Sequence, residues 1–175
     1  MKKDIITRRL RLSALRRCDK EDLIGMLTDA HISETYMVPD LRSEQSRDAM
    51  FDRFYEFTAA DSRFAYGIYA DGRLVGVIHE ADAGDGGVEL GYFIKTSENG
   101  KGYATEALRS AIGELFSQGY PTVRAAAFEG NGASLRVMQK CGMKLTGRTE
   151  TVSYRGRDRV CVCCEINKNE TDTGR

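Results

Sequence analysis

Two glycines, Gly100 and Gly102, mark the part of this chain whose residue types best suit binding chemistry. They lie between an apolar run at residues 88–94 and a run with the spacing of an amphipathic helix from residue 103. The first turn of a helix presents backbone N–H groups without intrahelical acceptors, at the positive end of the helix dipole. Glycine lets a ligand approach that backbone closely. The segment therefore predicts an anion site, with phosphate or pyrophosphate as the natural ligand.

Two common phosphate-binding motifs do not fit these glycines. A P-loop requires Ser or Thr after its Gly-Lys pair to bind magnesium, whereas Lys101 is followed by Gly102. A dinucleotide-binding fold places its glycines after the first strand of a repeated βαβ array, whereas these follow the fourth predicted strand. A plain turn between a strand and a helix is the alternative interpretation of the Gly-x-Gly pattern.

Two motifs at a characteristic separation give the loop a more specific interpretation. The first contributes Glu89, Gly91, Tyr92 and the run Gly-Lys-Gly-Tyr-Ala-Thr-Glu-Ala from residue 100. The second contributes Asn131, Ser134, Arg136, Val137, Lys140 and Gly142. Together they resemble the GNAT superfamily of acetyl-CoA-dependent N-acetyltransferases, and most of all its branch of ribosomal-protein N-terminal (alanine) acetyltransferases. That branch reads E-I-G-Y-W-L, W-G-K-G-Y-A-T-E-A and N-x-x-S-x-R-V-x-E-K-x-G-F.

Ser97 and Asn99 depart from the pattern of that superfamily, which usually has Arg or Gln and an aromatic residue there. The phosphate-binding N–H groups are not affected, because they belong to the backbone. The resemblance implies acetyl-CoA as co-substrate and no metal. It also implies that backbone N–H groups near Phe93 and Ile94 donate to the oxyanion of the reacting thioester. The predicted cofactor-binding residues are Phe93, Ile94, Asn99, Gly100, Lys101, Gly102, Tyr103, Ala104, Thr105, Asn131 and Ser134.

Glu89 and Ser134 are the predicted catalytic residues. The resemblance places Glu89 on the strand before the loop, where a carboxylate accepts the proton of the amine directly or through water. Ser134 resembles the serine that this branch places near the thioester sulfur, and hydrogen bonding to the departing thiolate suits a hydroxyl better than full acid catalysis. Glu80 and Glu106 are weaker candidates for the base. A covalent route through Cys18 or Cys141 is disfavoured, because no His lies near either in sequence.

The acceptor implied by the resemblance is a primary amine, possibly the α-amine of a protein or peptide. At pH 7 an α-amine with a pKa near 7.7–8.0 loses its proton at a cost of about 1–1.4 kcal/mol, against roughly 4.6 kcal/mol for lysine. A protein N-terminus therefore needs less help from a base. Two alternatives stay open: a small-molecule amine such as an antibiotic, a polyamine or an amino acid, and a non-catalytic CoA-binding regulatory module.

The elements that must position these residues predict one α/β (α+β) domain over residues 1–166 and a polar, disordered tail at 167–175. The predicted order is β-α-α-β-β-β-α-β-α-β-β, a mixed, mostly antiparallel, twisted sheet of about seven strands with a central βαβ cofactor unit. Residues 5–12 are predicted to form one strand, and residues 43–59 and 103–118 two helices. A loop is expected through His31 and Pro39.

Composition limits the classes of partner. The chain has 26 basic and 26 acidic residues, so its formal net charge is zero and neither nucleic acid nor an anionic membrane is an expected partner. Its five cysteines do not form a disulfide framework, and the three near residue 162 are expected to pack in a strand rather than bind metal. With no apolar leader at residues 1–10, a cytoplasmic monomer or homodimer is expected.

Overall fold

The computed structural model describes residues 2–84 and 86–171. Its strands are β1 Ile5–Ile6, β2 Leu10–Ser13, β3 Ala65–Ala70, β4 Arg73–Gly84, β5 Gly87–Ile94, β6 Thr122–Phe128, β7 Lys144–Tyr154 and β8 Arg157–Asn167. Its α-helices are α1 Lys20–Leu27, α2 Ala30–Thr35, α3 Glu44–Ala59, α4 Tyr103–Ser117, α5 Gly132–Lys140 and α6 Lys168–Thr171. Two short 3₁₀ helices cover Arg17–Asp19 and Thr96–Glu98.

The described strands form one mixed sheet in the order β1-β2-β3-β4-β5-β6-β8-β7. β5 and β6 pair in parallel and are joined through α4, which confirms the predicted central βαβ unit. β2 with β3, β6 with β8 and β7 with β8 pair antiparallel. The predicted fold class is confirmed, with eight described strands in place of about seven.

The extra strand arises near the N-terminus, where the prediction of one continuous strand over residues 5–12 is wrong. The chain turns at Thr7, and β1 folds back on β2 with Ile5 opposite Leu12. The Thr7 N–H donates to the Leu10 carbonyl (2.9 Å), and the Leu10 N–H donates to the Thr7 hydroxyl oxygen (3.0 Å). A threonine side chain that bonds to nearby backbone competes with strand pairing, and here it stabilises a tight turn.

The loop predicted through His31 and Pro39 is also partly wrong, because it contains α2. The Asp29 side chain accepts a hydrogen bond from the Ile32 N–H at 3.1 Å and so caps this helix. Ile32 is buried, whereas His31 is exposed. A helix this short has too few apolar positions to show a helical period, so the cap was its main signal.

The described fold comprises two compact units. The first consists of Met1–His79 with Tyr92–Ala107, and the second of Glu80–Gly91 with Leu108–Arg175. The core of the first unit is built by α1, α2, α3, β3 and β4, and its buried apolar residues are Leu15, Leu23, Met26, Leu27, Ile32, Val38, Leu41, Phe51, Tyr69, Leu74, Val77 and Phe93. The interior of the second unit includes Val88, Leu90, Leu108, Ala111, Leu115, Val123, Ala125, Met138, Cys164 and Ile166.

β7 is the last strand of the sheet in the part of the chain that the structure describes. Its pairing with β8 shifts register between Leu145 and Thr149, and Gly147 within the shift has a φ of +76°. The shift is therefore a bulge that uses a left-handed glycine.

At the end of the chain, Asn167 closes β8 and Lys168–Thr171 form a helical turn. The Lys168 ammonium donates to the Phe116 carbonyl at 2.8 Å. The disorder predicted for the tail stays a prediction for residues 172–175, which lie outside the described residues. The domain limit predicted at residue 166 also stays a prediction. Among the described helices, none has the length and hydropathy needed to cross a lipid bilayer.

Candidate active site

The glycine loop lies between β5 and α4, in the order of strand, loop and helix that the sequence predicts. Gly100 and Gly102 have φ values of +79° and +80°, a left-handed region that side chains rarely adopt. α4 begins directly after them, at Tyr103, and its first intrahelical hydrogen bond runs from the Glu106 N–H to the Gly102 carbonyl (3.0 Å). The N–H groups of the first turn, which includes Ala104 and Thr105, therefore point out of the helix end. The exposed backbone of Gly100, Lys101 and Gly102 suits a diphosphate.

The charge on Lys101 is already paired within the loop. Its ammonium lies 2.7 Å from the Glu98 carboxylate, and that contact raises the pKa of Lys101 and lowers the pKa of Glu98. Asn99 is exposed and follows the 3₁₀ turn that contains Glu98. Because this charge is paired, the backbone N–H groups of the loop are stronger candidates for contacting an anion than the Lys101 ammonium is.

Glu89 lies in β5, within the second unit, on the opposite face from the buried Val88 and Leu90. It stands opposite Arg124 in the sheet register, and both side chains are half-buried. Burial raises the pKa of the Glu89 carboxyl, the charges of Glu150 and Asp82 raise it further, and Arg124 partly offsets them. A carboxylate with a raised pKa is a better proton acceptor near neutral pH.

Ser134 lies in the first turn of α5, in the second unit. The Asn131 side-chain oxygen caps this helix by accepting from the Ser134 N–H at 3.1 Å. The Asn131 amide also donates to the Ser134 hydroxyl oxygen at 3.1 Å. That contact occupies one lone pair of the hydroxyl oxygen, so the O–H can still donate a hydrogen bond.

Phe93 and Ile94 are buried at the end of β5, beyond the part of the strand that pairs with β6. The parallel ladder between β5 and β6 joins residues 87–90 with residues 122–125. Gly76 of β4 lies so close to Phe93 that a β-carbon there would collide with the Phe93 carbonyl oxygen and lie 2.7 Å from Ile94 Cδ1. Within the first unit, β4 therefore fixes the backbone of these two residues.

Cys141, Cys161 and Cys163 do not have the properties of catalytic nucleophiles. Burial raises the pKa of the Cys141 thiol to about 11. Burial, with the charges of Glu150 and Glu89, also raises the thiol pKa of Cys161 and Cys163. These thiols stay protonated near neutral pH, which opposes a covalent route through Cys141. No group of three or more His, Cys, Asp or Glu within residues 2–84 and 86–171 is arranged to hold a metal ion.

Two groups of contacts in the first unit were not predicted from the sequence. The Tyr36 hydroxyl hydrogen-bonds to His79 Nε2, and Phe54 and Phe57 pack against the same imidazole with ring centroids 5.8 and 5.9 Å away. Arg9 and Glu106 form the second group, described below. Each group joins residues far apart in sequence, so no local spacing could reveal it.

Most of the chain matches the model of a known protein family. Residues 9–144 match the protein family described as the acetyltransferase (GNAT) domain. The chain belongs to the GNAT acetyltransferase family. The predicted family and enzyme class are therefore confirmed. GNAT acetyltransferases use acetyl-CoA as the acetyl donor, which agrees with the co-substrate that the sequence resemblance implied.

Individual GNAT relatives differ in the acceptor that their names specify. The probable N-acetyltransferase YjcK of Bacillus subtilis (strain 168) is 29% identical over 100 residues, or 54% of this chain and 55% of that protein. The match thus spans about half the length of this curated relative. RimL, a ribosomal L7/L12 α-N-protein acetyltransferase solved with coenzyme A, is 15% identical with a TM-score of 0.80, over 94% of this chain and 98% of its own.

A chimera of the spermidine N-acetyltransferase SpeG from Vibrio cholerae with hSSAT is also similar in fold. It is 16% identical with a TM-score of 0.77, over 95% of this chain and 99% of its own. At these identities the two structures confirm the GNAT fold. They leave the acceptor of this chain open, since one name specifies a protein α-amine and the other a polyamine.

Proposed function

We propose that this protein transfers an acetyl group from acetyl-CoA to a primary amine by direct attack on the thioester. The observation that carries the proposal is the environment of Glu89, a half-buried carboxylate whose pKa is raised by burial and by Glu150 and Asp82. That environment supplies a proton acceptor suited to neutral pH. Family membership supports the reaction class.

In the proposed reaction Glu89 removes a proton from the amine, directly or through water. The nitrogen lone pair attacks the thioester carbonyl carbon, and negative charge develops on its oxygen. Backbone N–H groups near Phe93 and Ile94 stabilise that charge. The carbon–sulfur bond then breaks, and coenzyme A leaves as a thiolate that accepts a hydrogen bond from the Ser134 hydroxyl. The acetylated nitrogen still carries one extra proton, which passes to the departing thiolate directly or through water. The products are therefore the acetylated amine, the coenzyme A thiol and a protonated Glu89.

The glycine loop binds the diphosphate of the donor in this proposal. The left-handed Gly100 and Gly102 and the first turn of α4 provide the N–H groups, with Tyr103, Ala104 and Thr105 lining the loop. Asn131 contributes by capping α5 and holding Ser134. Lys101 contributes through its backbone, since its ammonium is paired with Glu98.

We further propose a protein or peptide α-amine as the acceptor. Deprotonating an α-amine at pH 7 costs only about 1–1.4 kcal/mol, so a single carboxylate base is enough to accept the proton. A small cationic amine is the second candidate, because Asp82 and Glu150 add negative charge near Glu89. A cytoplasmic location is supported by the five cysteines, which all lie among the described residues and form no disulfide with one another.

The test uses purified protein, acetyl-CoA and a panel of peptides, polyamines, amino acids and aminoglycosides, with release of free coenzyme A thiol as the signal. We expect turnover with peptides that have a free α-amine and none with the same peptides blocked at the N-terminus. Turnover confined to polyamines would establish the second candidate. Tight CoA binding without turnover on any acceptor would show a non-catalytic CoA-binding module.

Glu89→Gln tests the base within the same assay. We expect kcat to fall roughly 10²- to 10⁴-fold, the usual contribution of a general base, with little change in the Kd for CoA. Glu129→Gln is the matched control, because Glu129 is exposed and has no role in the proposed reaction. An unchanged kcat for Glu89→Gln would exclude this residue as the base.

A further inference from the structure

We propose that Arg9 and Glu106 are positioning residues that hold the glycine loop in the conformation that binds the diphosphate of the donor. The inference rests on the proposed function of that loop and extends it to two residues outside the predicted binding set. All the residues concerned lie in the first unit, so the argument depends on contacts within one compact body.

Glu106 gathers four hydrogen-bond donors from the turn between β1 and β2. Its Oε1 accepts from the Thr7 hydroxyl at 2.6 Å and from the Arg9 backbone N–H at 2.8 Å. Its Oε2 accepts from Arg9 Nε at 2.7 Å and lies 2.7 Å from Arg9 Nη2. The carboxylate therefore fixes both the backbone and the guanidinium of Arg9 against the first turn of α4, and these contacts lower the pKa of Glu106.

The guanidinium then reaches the loop itself. Arg9 Nη1 donates to the Lys101 carbonyl at 2.8 Å, between the two left-handed glycines. A β-carbon at Gly102 would lie 3.4 Å from Arg9 Nη2, so the loop backbone packs directly on the guanidinium. Arg9 also lies over the Tyr103 ring, with 5.1 Å between its Cζ and the ring centroid.

This single contact orients a donor for the anion. In a planar trans peptide the carbonyl of one residue and the N–H of the next point in opposite directions. Fixing the Lys101 carbonyl on Arg9 therefore turns the Gly102 N–H away from Arg9. The Lys101 carbonyl oxygen, which is the negative end of the peptide dipole, then faces Arg9 and not the bound phosphate. Without this contact, the glycines on either side of Lys101 would leave the loop backbone freer to rotate, and ordering it would cost entropy on binding.

The pair acts mainly through geometry, because Glu106 neutralises most of the charge of Arg9. The Arg9 side chain is 45% exposed, and an ion pair at such exposure adds little to global stability. Removing the guanidinium should therefore spare the fold while loosening the loop. The planar guanidinium donates to Glu106 and to the Lys101 carbonyl at the same time. A lysine ammonium does not reproduce this geometry.

The test compares Arg9→Gln, Arg9→Lys and the control Arg11→Gln. Arg11 is an exposed residue of β2, and its replacement breaks an ion pair with Asp4. Calorimetry measures binding of CoA and of pantetheine, which lacks the diphosphate and the nucleotide. We expect both Arg9 variants to weaken CoA binding roughly tenfold, the size of one lost positioning contact, with pantetheine binding unchanged. Arg11→Gln should bind both ligands as the unaltered protein does.

Glu106→Gln supplies a second variant in case Arg9→Gln folds poorly. It keeps an oxygen for Thr7 but loses the anionic partner of the guanidinium, and we expect the same selective loss of CoA affinity. The double variant should be no weaker than either single one, because the two residues act as a unit.

Three results would overturn the proposal: full CoA affinity in both Arg9→Gln and Glu106→Gln, full affinity in Arg9→Lys, or equal losses for CoA and pantetheine. The second would show that charge alone matters, and the third a general structural effect. Failure of the unaltered protein to bind CoA would instead overturn the proposed function, so the two failures are distinguishable.

Discussion

At the scale of single residues, the properties of Glu89 follow from its neighbours in the second unit. Val88 and Leu90 alternate with it and are buried, which leaves the carboxyl on the half-buried face with Arg124. Partial burial and two nearby carboxylates disfavour the charged form of Glu89 and raise its pKa. The positive charge of Arg124 offsets only part of this effect. The residue type was identifiable from the motif, but its raised pKa depends on Asp82 and Glu150, which the motif does not contain.

Glu150→Gln should lower the pKa of Glu89, because it removes a negative charge that disfavours ionisation. Since the base acts when deprotonated, the acidic limb of the profile of log kcat/KM against pH should move to lower pH. The raised pKa also means that the folded state binds this proton more tightly than the unfolded chain does. Stability is therefore lost as pH rises from the ordinary Glu pKa through the folded one, and Glu150→Gln should reduce that loss.

The pH–rate profile of Glu129→Gln serves as the reference, since Glu129 is exposed and is not among the groups that shift Glu89. An acidic limb that stays in place in Glu150→Gln would show that a group other than Glu89 controls it.

Ser134→Ala should lower kcat about 10- to 100-fold, which is the value of one hydrogen bond to a charged partner. The effect should shrink with an acetyl donor whose thiol has a lower pKa, because its thiolate needs less stabilisation. Asn131 would still cap α5 through the Ser134 backbone N–H, so the helix should persist. The measurement is kcat with the two donors, and an equal loss with both would argue against a role at the sulfur.

At the scale of elements, Gly76 determines how closely β4 and β5 approach within the first unit. Gly76→Ala places a methyl group against the Phe93 carbonyl, so the backbone must shift. We expect a loss of about 1–3 kcal/mol in the free energy of unfolding, as is usual for overpacking, together with a lower kcat. Urea denaturation and the thiol-release assay measure the two effects.

Gly113→Ala is the matched control for this change. Gly113 lies within α4, and a β-carbon there meets no atom within 4 Å. Because alanine favours a helix over glycine by about 1 kcal/mol, this variant should be slightly more stable than the unaltered protein. A Gly76→Ala protein as stable as Gly113→Ala would contradict the close approach.

Elements with long apolar periods were predictable from the sequence, and short ones were not. α4 was recognised because Ala107, Leu108, Ala111 and Leu115 recur at helical spacing, and each is buried. The turn at Thr7 was missed, because residues 5–12 alternate well enough for one strand and a side-chain hydrogen bond decides between the two structures. The six residues of α2 were missed because they complete fewer than two helical turns.

At the scale of the whole molecule, the residues predicted for the site are those that the chain brings together locally. Gly100 to Thr105 and Asn131 with Ser134 each lie within a few residues, so their spacing carried the signal. Arg9 and Glu106 are 97 residues apart, and Tyr36 and His79 are 43 apart. Contacts of that separation depend on sheet order and helix placement, which no single-sequence pattern encodes.

Lys2 ties the N-terminus to the connection between α3 and β3. Its ammonium donates to the carbonyls of Ala65 at 2.7 Å and Ala60 at 3.4 Å, and lies 4.3 Å from the centroid of the Tyr66 ring. Lys2→Met keeps the length of the side chain but loses these contacts, and should cost about 1–3 kcal/mol in the free energy of unfolding.

Lys3→Met is the matched control for Lys2→Met, because Lys3 is exposed, and it should leave stability nearly unchanged. Urea denaturation of the two variants makes the comparison. Equal midpoints would mean that the contacts of the Lys2 ammonium do not stabilise the fold.

The bulge at Gly147 bears on how the protein behaves at high concentration. A long outer strand with regular unpaired amides is a template on which another chain can add a strand and start an aggregate. β7 is long and outermost in the described sheet, but the bulge interrupts its regular backbone. Its charged residues Lys144, Arg148 and Glu150 are also exposed. The irregular backbone and the charges make a continuous intermolecular ladder costly, so this sheet edge is protected against polymerisation.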